Sequence, residues 1–454
     1  MSAFTGTTIG LLVWLILWLV SRRRGLSVRA LTGLLLGVGL ACRLAFLIGT
    51  PTFYAPDEQP HYNYVRYLAE RRAFPVQSSR TDDPSNDWEY YQPPLYYLSL
   101  VPLYWAADAL WGNPDLTVRL LRGVSILLWG VTFWLSRRIL DRLRPGDEAV
   151  RSFALGLVCL LPTYAFISSS LNNDNLLIAL GSAVLLLSLD LVQPDLHGPA
   201  RIKRALLLGF VLGLALLTKL TAVIYLPWLG GLYLVAVAGV SHLHPQHHAV
   251  DTRTVPKSRI LVRLALPFLL PIAVAALMWV PWGGRNLLLY GSLTAESIAN
   301  VPLEWPSIQE AVTGSLNYMH NSFWSVSGIY NNVRGTYPRV GLWISFAVAG
   351  GWLVGLARRG KDTLLLAGKQ IEITVVMILS ILINAALVLR FGVLYGQAQG
   401  RFLFPLLLPI ALLLGTGLRA LQLLPAHRAR VHLAGIQIVY LVSFTAYSLG
   451  AFPR

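Results

Sequence analysis

YAPDEQPHYNYVRYLAERR, residues 54–72, follows directly on an apolar run and opens on two adjacent carboxylates, Asp57 and Glu58. Charge in that place sits at a membrane surface. As a helix from Glu58 onward, the stretch has Asp57 as its N-cap and Pro60 inside the first turn, where a missing N–H costs nothing. Asp57 and His61 then share a face that Val65 and Leu68 continue at helical spacing, leaving Arg66, Glu70, Arg71 and Arg72 to water or lipid headgroups. The stretch reads as a helix lying in the interface, against the plainer reading of a solvated loop with ordinary capping residues.

The surrounding chain favours the interface. Its 454 residues are 55% hydrophobic and 13% charged, with a mean hydropathy of +0.58, and its apolar runs are too numerous to bury in one soluble core. Such a composition belongs to a polytopic membrane protein. The net charge of +16 invites a nucleic-acid reading, but Lys and Arg come in short clusters between apolar runs, which is topology and not DNA binding. Cys42 and Cys159 both fall inside apolar runs and indicate neither a disulfide nor a metal site.

The expected architecture is an all-α transmembrane bundle of about twelve spans. The apolar runs fall near 8–20, 30–50, 118–136, 152–168, 175–192, 205–218, 220–240, 262–282, 340–357, 371–390, 402–419 and 432–450. Alternation places about 23 of the 37 basic residues in cytoplasmic loops and about 13 of the 21 acidic ones outside. Two long external loops, 51–117 and 283–339, then make the outer face of the cell membrane the working face. No repeat or low-complexity linker divides the chain, so residues 1–454 read as one membrane domain.

Within the first external loop, Tyr90–Tyr97 (YYQPPLYY) pairs two prolines with four tyrosines, and Pro94–Trp111 reads as a second surface helix and not a further span. His61, Tyr91 and Gln92 are candidates to support an acceptor. SSSLNNDN, residues 168–175, is a polar external turn whose Asp174 is read first as the cap of the helix that follows and second as a functional carboxylate. Lys219 interrupts GLALLTKLTAVIYL, where an ammonium needs a partner; an anion is the natural one, with snorkelling to the interface as the alternative. Arg285 in WGGRNLLLYG and Arg401 in GQAQGRFLFPLLLP fall at external helix ends, so Lys219, Arg285 and Arg401 are expected to converge on one anionic group. Cations facing Asp57 and Glu58 would suit a reaction whose leaving group is a lipid phosphate, with a carboxylate taking the proton of an attacking hydroxyl. Arg43, inside the second run, needs an internal partner or a wet cavity. HLHPQHH, residues 242–248, lacks acidic or thiolate companions and reads as a solvated cytoplasmic loop; NYMHNSFWSVSGIYNN, residues 317–332, reads as an acceptor surface or an interfacial anchor.

In this order and on this side, these motifs resemble the GT-C superfamily of polytopic glycosyltransferases, and within it family 39 and related bacterial lipid-carrier-dependent enzymes. PDEQPHYNYVRYLAE resembles the acidic first external loop, YQPPLYYLSLVPLY the proline-led surface helix, and NNDNLLIAL, LGLALLTKLTA, RNLLLYG and QGRFLFPLLLP follow in the family's order. The resemblance implies sugar transfer from a polyprenyl-phosphate donor to a glycan, lipid or protein acceptor, usually with inversion. It implies Asp57 as base or acceptor-orienting carboxylate, Glu58 as its neighbour, and Lys219 and Arg401 as holders of the lipid phosphate, with Arg285 a looser match. A divalent cation on Asp57 and Glu58 stays open, since some branches use one. The chain departs from better-known members in an apparent extra N-terminal span and no appended soluble external domain. A flippase or transporter of lipid-linked sugars is the rival from another class; it would set its polar residues near the bilayer midplane and often shows inverted repeats. A lipid-linked polysaccharide polymerase would share the transferase chemistry.

Overall fold

The computed structural model describes residues 3–24, 27–78, 87–143, 147–193, 196, 198–242, 257–328, 332–333, 337–359, 371–421 and 423–453. The chain is a multi-pass helical membrane protein. It begins with α1 (Ala3–Arg24), α2 (Val28–Gly49), α3 (Glu58–Arg71), α4 (Leu95–Trp111), α5 (Pro114–Leu143) and α6 (Glu148–Leu160). There follow α7 (Pro162–Ile167), α8 (Asp174–Leu191), α9 (Gly198–Thr218), α10 (Tyr225–His242), α11 (Lys257–Tyr290) and α12 (Glu296–Ala299). The last elements are α13 (Ile308–Trp324), a two-stranded antiparallel hairpin pairing Val326 with Val333, α14 (Tyr337–Arg359), α15 (Ile371–Tyr395), α16 (Leu407–Ala420) and α17 (Ala426–Ala451).

Among the described residues, nine helices are long and apolar enough to cross a membrane, against the twelve runs read from the sequence. The other three runs take different forms. Residues 8–20 lie in α1, which packs along α17, and 205–218 lie in α9, whose first turns carry Arg201, Lys203 and Arg204. The run 152–168 is broken into α6 and α7 at Leu161–Pro162. Proline cannot donate to the carbonyl four residues back, so the break strands carbonyls of α6 in an apolar core. Trp129 Nε1 donates to Val158 O at 3.1 Å and Arg43 Nη1 to Cys159 O at 2.7 Å. The internal partner that Arg43 needs is therefore a broken helix end. Its guanidinium also donates from Nε to Ser168 Oγ at 2.7 Å and lies 3.9 Å from the Trp129 ring centroid, so it ties α2 to the 168–174 turn.

The helices α3 and α4 form where expected, and Arg66, Glu70, Arg71 and Arg72 are exposed. They do not merely lie on the interface: Tyr64, Val65, Tyr96, Tyr97 and Leu100 are almost wholly buried in a small core of their own, roofed onto α5. Tyr64 and Tyr97 stack at 3.9 Å between ring centroids. Each such side chain contributes roughly 1.5–3 kcal/mol on burial, enough to hold the two helices as a rigid roof. The histidine-rich residues 243–248 lie outside the described residues.

Candidate active site

The turn before α3 departs from the expected cap. Asp57 adopts a left-handed backbone (φ 58°, ψ 8°) and its side chain makes no capping bond. For a non-glycine residue this conformation costs about 1–2 kcal/mol, and the return is direction. The carboxylate points to Arg401 and pairs with its Nη2.

Arg401 reaches that position because the chain after α15 comes unusually close to α13. Gly400 N donates to Ser322 Oγ at 2.8 Å, and a Cβ on Gly400 would stand 2.2 Å from the backbone nitrogen of Phe323. A 3₁₀ helix, Gly400–Leu406, then turns the guanidinium inward, 4% exposed. Nε lies 3.7 Å from Asp174 Oδ2, yet neither Nε nor Nη1 has a hydrogen-bond partner. Buried N–H groups without acceptors are expensive, and the anion nearest to Nε is Asp174 Oδ2, itself buried without a hydrogen-bond partner.

Asp174 is not the cap that its position suggested. Asn173 is the N-cap of α8, the Asp174 N–H is taken by Asn172 Oδ1 at 2.8 Å, and the carboxylate accepts from Lys219 Nζ. Lys219 stands in the break between α9 and the 3₁₀ helix Leu220–Ile224, as an interrupted apolar run implies, and donates also to Asn173 Oδ1 at 3.3 Å. The centre is thus a chain of alternating charges, Asp57–Arg401–Asp174–Lys219. Burial by itself would raise the Asp57 carboxyl, but Arg401 above all, with Lys219, outweighs it and holds the group below the ordinary carboxylate range.

Glu58 and Arg285 are not in that chain. The Glu58 carboxylate, fully buried, accepts from Arg122 Nε at 2.8 Å, from Arg122 Nη2 at 2.6 Å and from Leu171 N at 3.1 Å. Arg122 also donates to the carbonyls of Leu47, Thr50 and Pro51, so the pair clasps the end of α2, the start of α3, α5 and the 168–174 turn. Arg285 donates to Pro75 O and lies 4.7 Å from the Trp282 ring centroid, anchoring the segment after α3 to α11. The residue that shares the cavity with Lys219 and Arg401 is instead Arg390 of α15, exposed and, among the described residues, without a hydrogen bond or ion pair. Arg390 and Arg122 interrupt apolar runs just as Lys219 does, and that signal was available in the sequence.

Asp57, Lys219, Arg390 and Arg401 line a cavity of about 740 Å³ between the α3–α4 roof, α11, α15 and the two 3₁₀ helices. His61, Tyr91 and Gln92 line it too. His61 Nδ1 is 2.9 Å from the Tyr97 hydroxyl, and Gln92 Nε2 donates to Tyr91 Oη at 2.9 Å. Burial depresses His61 to about 3, so its ring is neutral at physiological pH. Leu387 and Val223, both exposed on the bundle surface, line the same cavity and give it an apolar side. A divalent cation does not fit Asp57 and Glu58: their oxygens face Arg401 and Arg122, and no cluster of three metal-ligating side chains occurs among the described residues.

No protein-family model matches the sequence, and no curated protein matches it. Solved structures do resemble the fold. ArnT from Cupriavidus metallidurans in the apo state superposes with a TM-score of 0.52 at 15% identity, covering 92% of this chain and 77% of ArnT. The same enzyme bound to undecaprenyl phosphate gives 0.50 at 18% identity, over 92% and 76%. The archaeal oligosaccharyltransferase AglB from Archaeoglobus fulgidus, with an inhibitory peptide and a dolichol-phosphate, gives 0.50 at 14% identity over 92% of this chain and 56% of AglB. The chain shares the fold of these proteins.

The structure brings together Asp57, Lys219, Arg401 and Asp174, with His61, Tyr91 and Gln92 lining the same cavity; Glu58, which also lines it, is bound to Arg122, and Arg285 to Pro75. It adds Arg390 and Glu89, which the sequence reading had passed over.

Proposed function

We propose that the protein is a membrane glycosyltransferase that moves a sugar from a polyprenyl-phosphate carrier to an acceptor hydroxyl in this cavity, on the outer face of the cell membrane. The observation behind the proposal is Arg401: paired with Asp57 and lining, together with Lys219 and Arg390, one cavity that carries three cations. A monoanionic phosphodiester gives Lys219, Arg390 and Arg401 an anion to share. The apolar side at Val223 and Leu387 suits the prenyl chain of such a donor. Undecaprenyl phosphate and dolichol-phosphate, bound to ArnT and AglB, belong to the same chemical class.

The reaction then follows from charge. The acceptor oxygen attacks the anomeric carbon, the C–O bond to phosphate breaks, and its electron pair leaves on the lipid phosphate, where Arg401 and Lys219 stabilise it. The acceptor proton passes to Asp57. A carboxylate held on a guanidinium is a weak base. Phosphate arriving on Arg401 shares that positive charge and raises the basicity of Asp57, so the base gains strength when the donor is bound. Attack opposite the leaving group inverts the anomeric centre.

The test is transfer in purified, lipid-reconstituted protein, supplied with a panel of radiolabelled polyprenyl-phosphate sugars and total membrane extract. Wild type should move label to a new product, and Asp57→Asn should lose at least about a hundredfold in rate, within the range ascribed to a positioned base. Full transfer by Asp57→Asn would overturn the assignment; labelled lipid crossing the bilayer equally in both proteins, with no product, would establish a flippase instead.

A further inference from the structure

Asp174 answers two of the cavity's cations from behind the cavity wall. Lys219 and Arg401 line the cavity, whereas Asp174, 4% exposed, does not. One of its oxygens accepts from Lys219 Nζ, and the other lies 3.7 Å from Arg401 Nε. Glu89 and Glu296 line the cavity too, but among the described residues neither comes within ion-pair distance of either cation. The turn that carries Asp174 is braced to hold it there. Asn172 Oδ1 takes the Asp174 N–H, which leaves the carboxylate free of capping. Tyr96 Oη of α4 accepts from Asn172 N at 3.1 Å, Ser125 Oγ of α5 donates to Ser170 O at 2.6 Å, and Asn175 Nδ2 of α8 donates to Ile167 O at 3.0 Å. With Arg43 on Ser168 and Glu58 on Leu171, four helices and the α3 turn fix this carboxylate's place.

Transfer changes the charge of the ligand that those two cations hold. The donor phosphodiester is a monoanion. When its C–O bond to the sugar breaks, the electron pair stays on the phosphate, the sugar goes to the acceptor oxygen and the acceptor proton to Asp57. The phosphate is left as a monoester, which carries about −1.5 to −2 near neutral pH. Cations with no anion of their own would therefore hold the product more tightly than the donor. A fixed carboxylate behind them opposes each ligand in proportion to that ligand's charge, so it weakens binding of the dianion about twice as much, in free energy, as binding of the monoanion.

We propose that Asp174 is a positioning residue that acts through Lys219 and Arg401, setting both cations toward the phosphate while weakening their hold on a dianionic lipid phosphate, so that the product of transfer leaves. Standing behind the wall, Asp174 exchanges no proton with the substrate; its effect is the field it adds to the two cations. The inference rests on the transferase reading for product release, but the discrimination between phosphate charges can be read by binding alone.

The experiment measures binding of polyprenyl phosphate and of its methyl phosphodiester to the reconstituted protein at one pH, about 8, where the monoester is a dianion. Wild type, Asp174→Asn and Asp174→Glu are compared, with melting midpoints and sugar transfer alongside. Asp174→Asn should bind the diester about tenfold and the monoester about a hundredfold more tightly, which shifts the preference for the monoester about tenfold. Asp174→Glu keeps the charge and should keep the wild-type preference, even where packing lowers its melting midpoint. In transfer, Asp174→Asn should complete a first turnover and then slow, kcat falling about tenfold together with KM as product release becomes limiting. A folded Asp174→Asn protein with an unchanged preference, or one that loses both ligands alike, overturns the inference and leaves Asp174 a structural brace. Should Asp174→Asn fail to fold, wild type decides: a preference for the monoester above about tenfold overturns the inference, and one below it supports it. If wild type transfers from no donor, the proposed function fails, while the binding preferences still decide the role of Asp174.

Discussion

Replacing Glu58 by Gln separates architecture from chemistry at the two adjacent carboxylates. The substitution keeps the side chain's shape and one carbonyl oxygen but removes the charge that meets Arg122. That guanidinium is 1% exposed; it keeps the carbonyls of Leu47, Thr50 and Pro51 and the one amide oxygen, and an amide nitrogen now faces another of its N–H groups. Breaking one side of a fully buried pair costs about 3–5 kcal/mol; the remaining carbonyl contacts put Glu58→Gln near the lower end, about 3 kcal/mol. Asp57, a quarter exposed to the cavity and answered by Arg401 alone, should lose far less on conversion to Asn. Melting midpoints of the two variants in detergent should therefore differ by several degrees, with Glu58→Gln the less stable. A double variant, Glu58→Leu with Arg122→Met, should recover only part of the loss, because it removes both charges but leaves the carbonyls of Leu47, Thr50 and Pro51 and the Leu171 N–H without these partners. At temperatures where it stays folded, Glu58→Gln should retain transfer that Asp57→Asn lacks. A Glu58→Gln protein as stable as wild type but inactive would refute this reasoning and return Glu58 to the catalytic group.

Arg390→Ala should raise the KM for the polyprenyl-phosphate donor about tenfold and leave the melting midpoint within a degree or so, since the side chain is exposed and holds nothing else among the described residues; an unchanged KM would remove it from the phosphate site. The acid side of the transfer profile should lie below the ordinary carboxylate range, because Arg401 holds Asp57 there. For a carboxyl depressed on folding, the ion pair is complete above the unfolded value of about 3.9 and is lost as pH falls through the folded value. Arg401→Gln should move the residual activity's acid limb upward, and a limb that stays in place would show that another group governs it.

Much of this protein is local information. The apolar runs, the basic clusters between them and the proline-led α4 are legible because lipid depth acts on each segment separately, through the length and hydropathy of that segment alone. Asp57, Lys219 and Arg401 are legible for the same reason: a charge that interrupts an apolar run or heads a surface helix is conspicuous without its partner. Partners are another matter. Glu58 and Asp57 are neighbours in the chain, yet the left-handed turn at Asp57 sends one carboxylate to a residue 344 positions away and the other to one 64 positions away. Asp174 has the local chemistry of a cap and becomes part of the charge chain only because α9 ends beside α8. Arg285 and Arg390 carry equal charge at helix ends; the rotation of α11 and α15 about their axes decides which of them sees the cavity. Sequence by itself determined which segments are apolar and which charges interrupt or flank them, since those follow from solvation of each residue. Which charges meet, and so which carboxylate is left for chemistry, was decided only by tertiary packing, because burial forces every ion to find whichever partner the assembled helices place within reach.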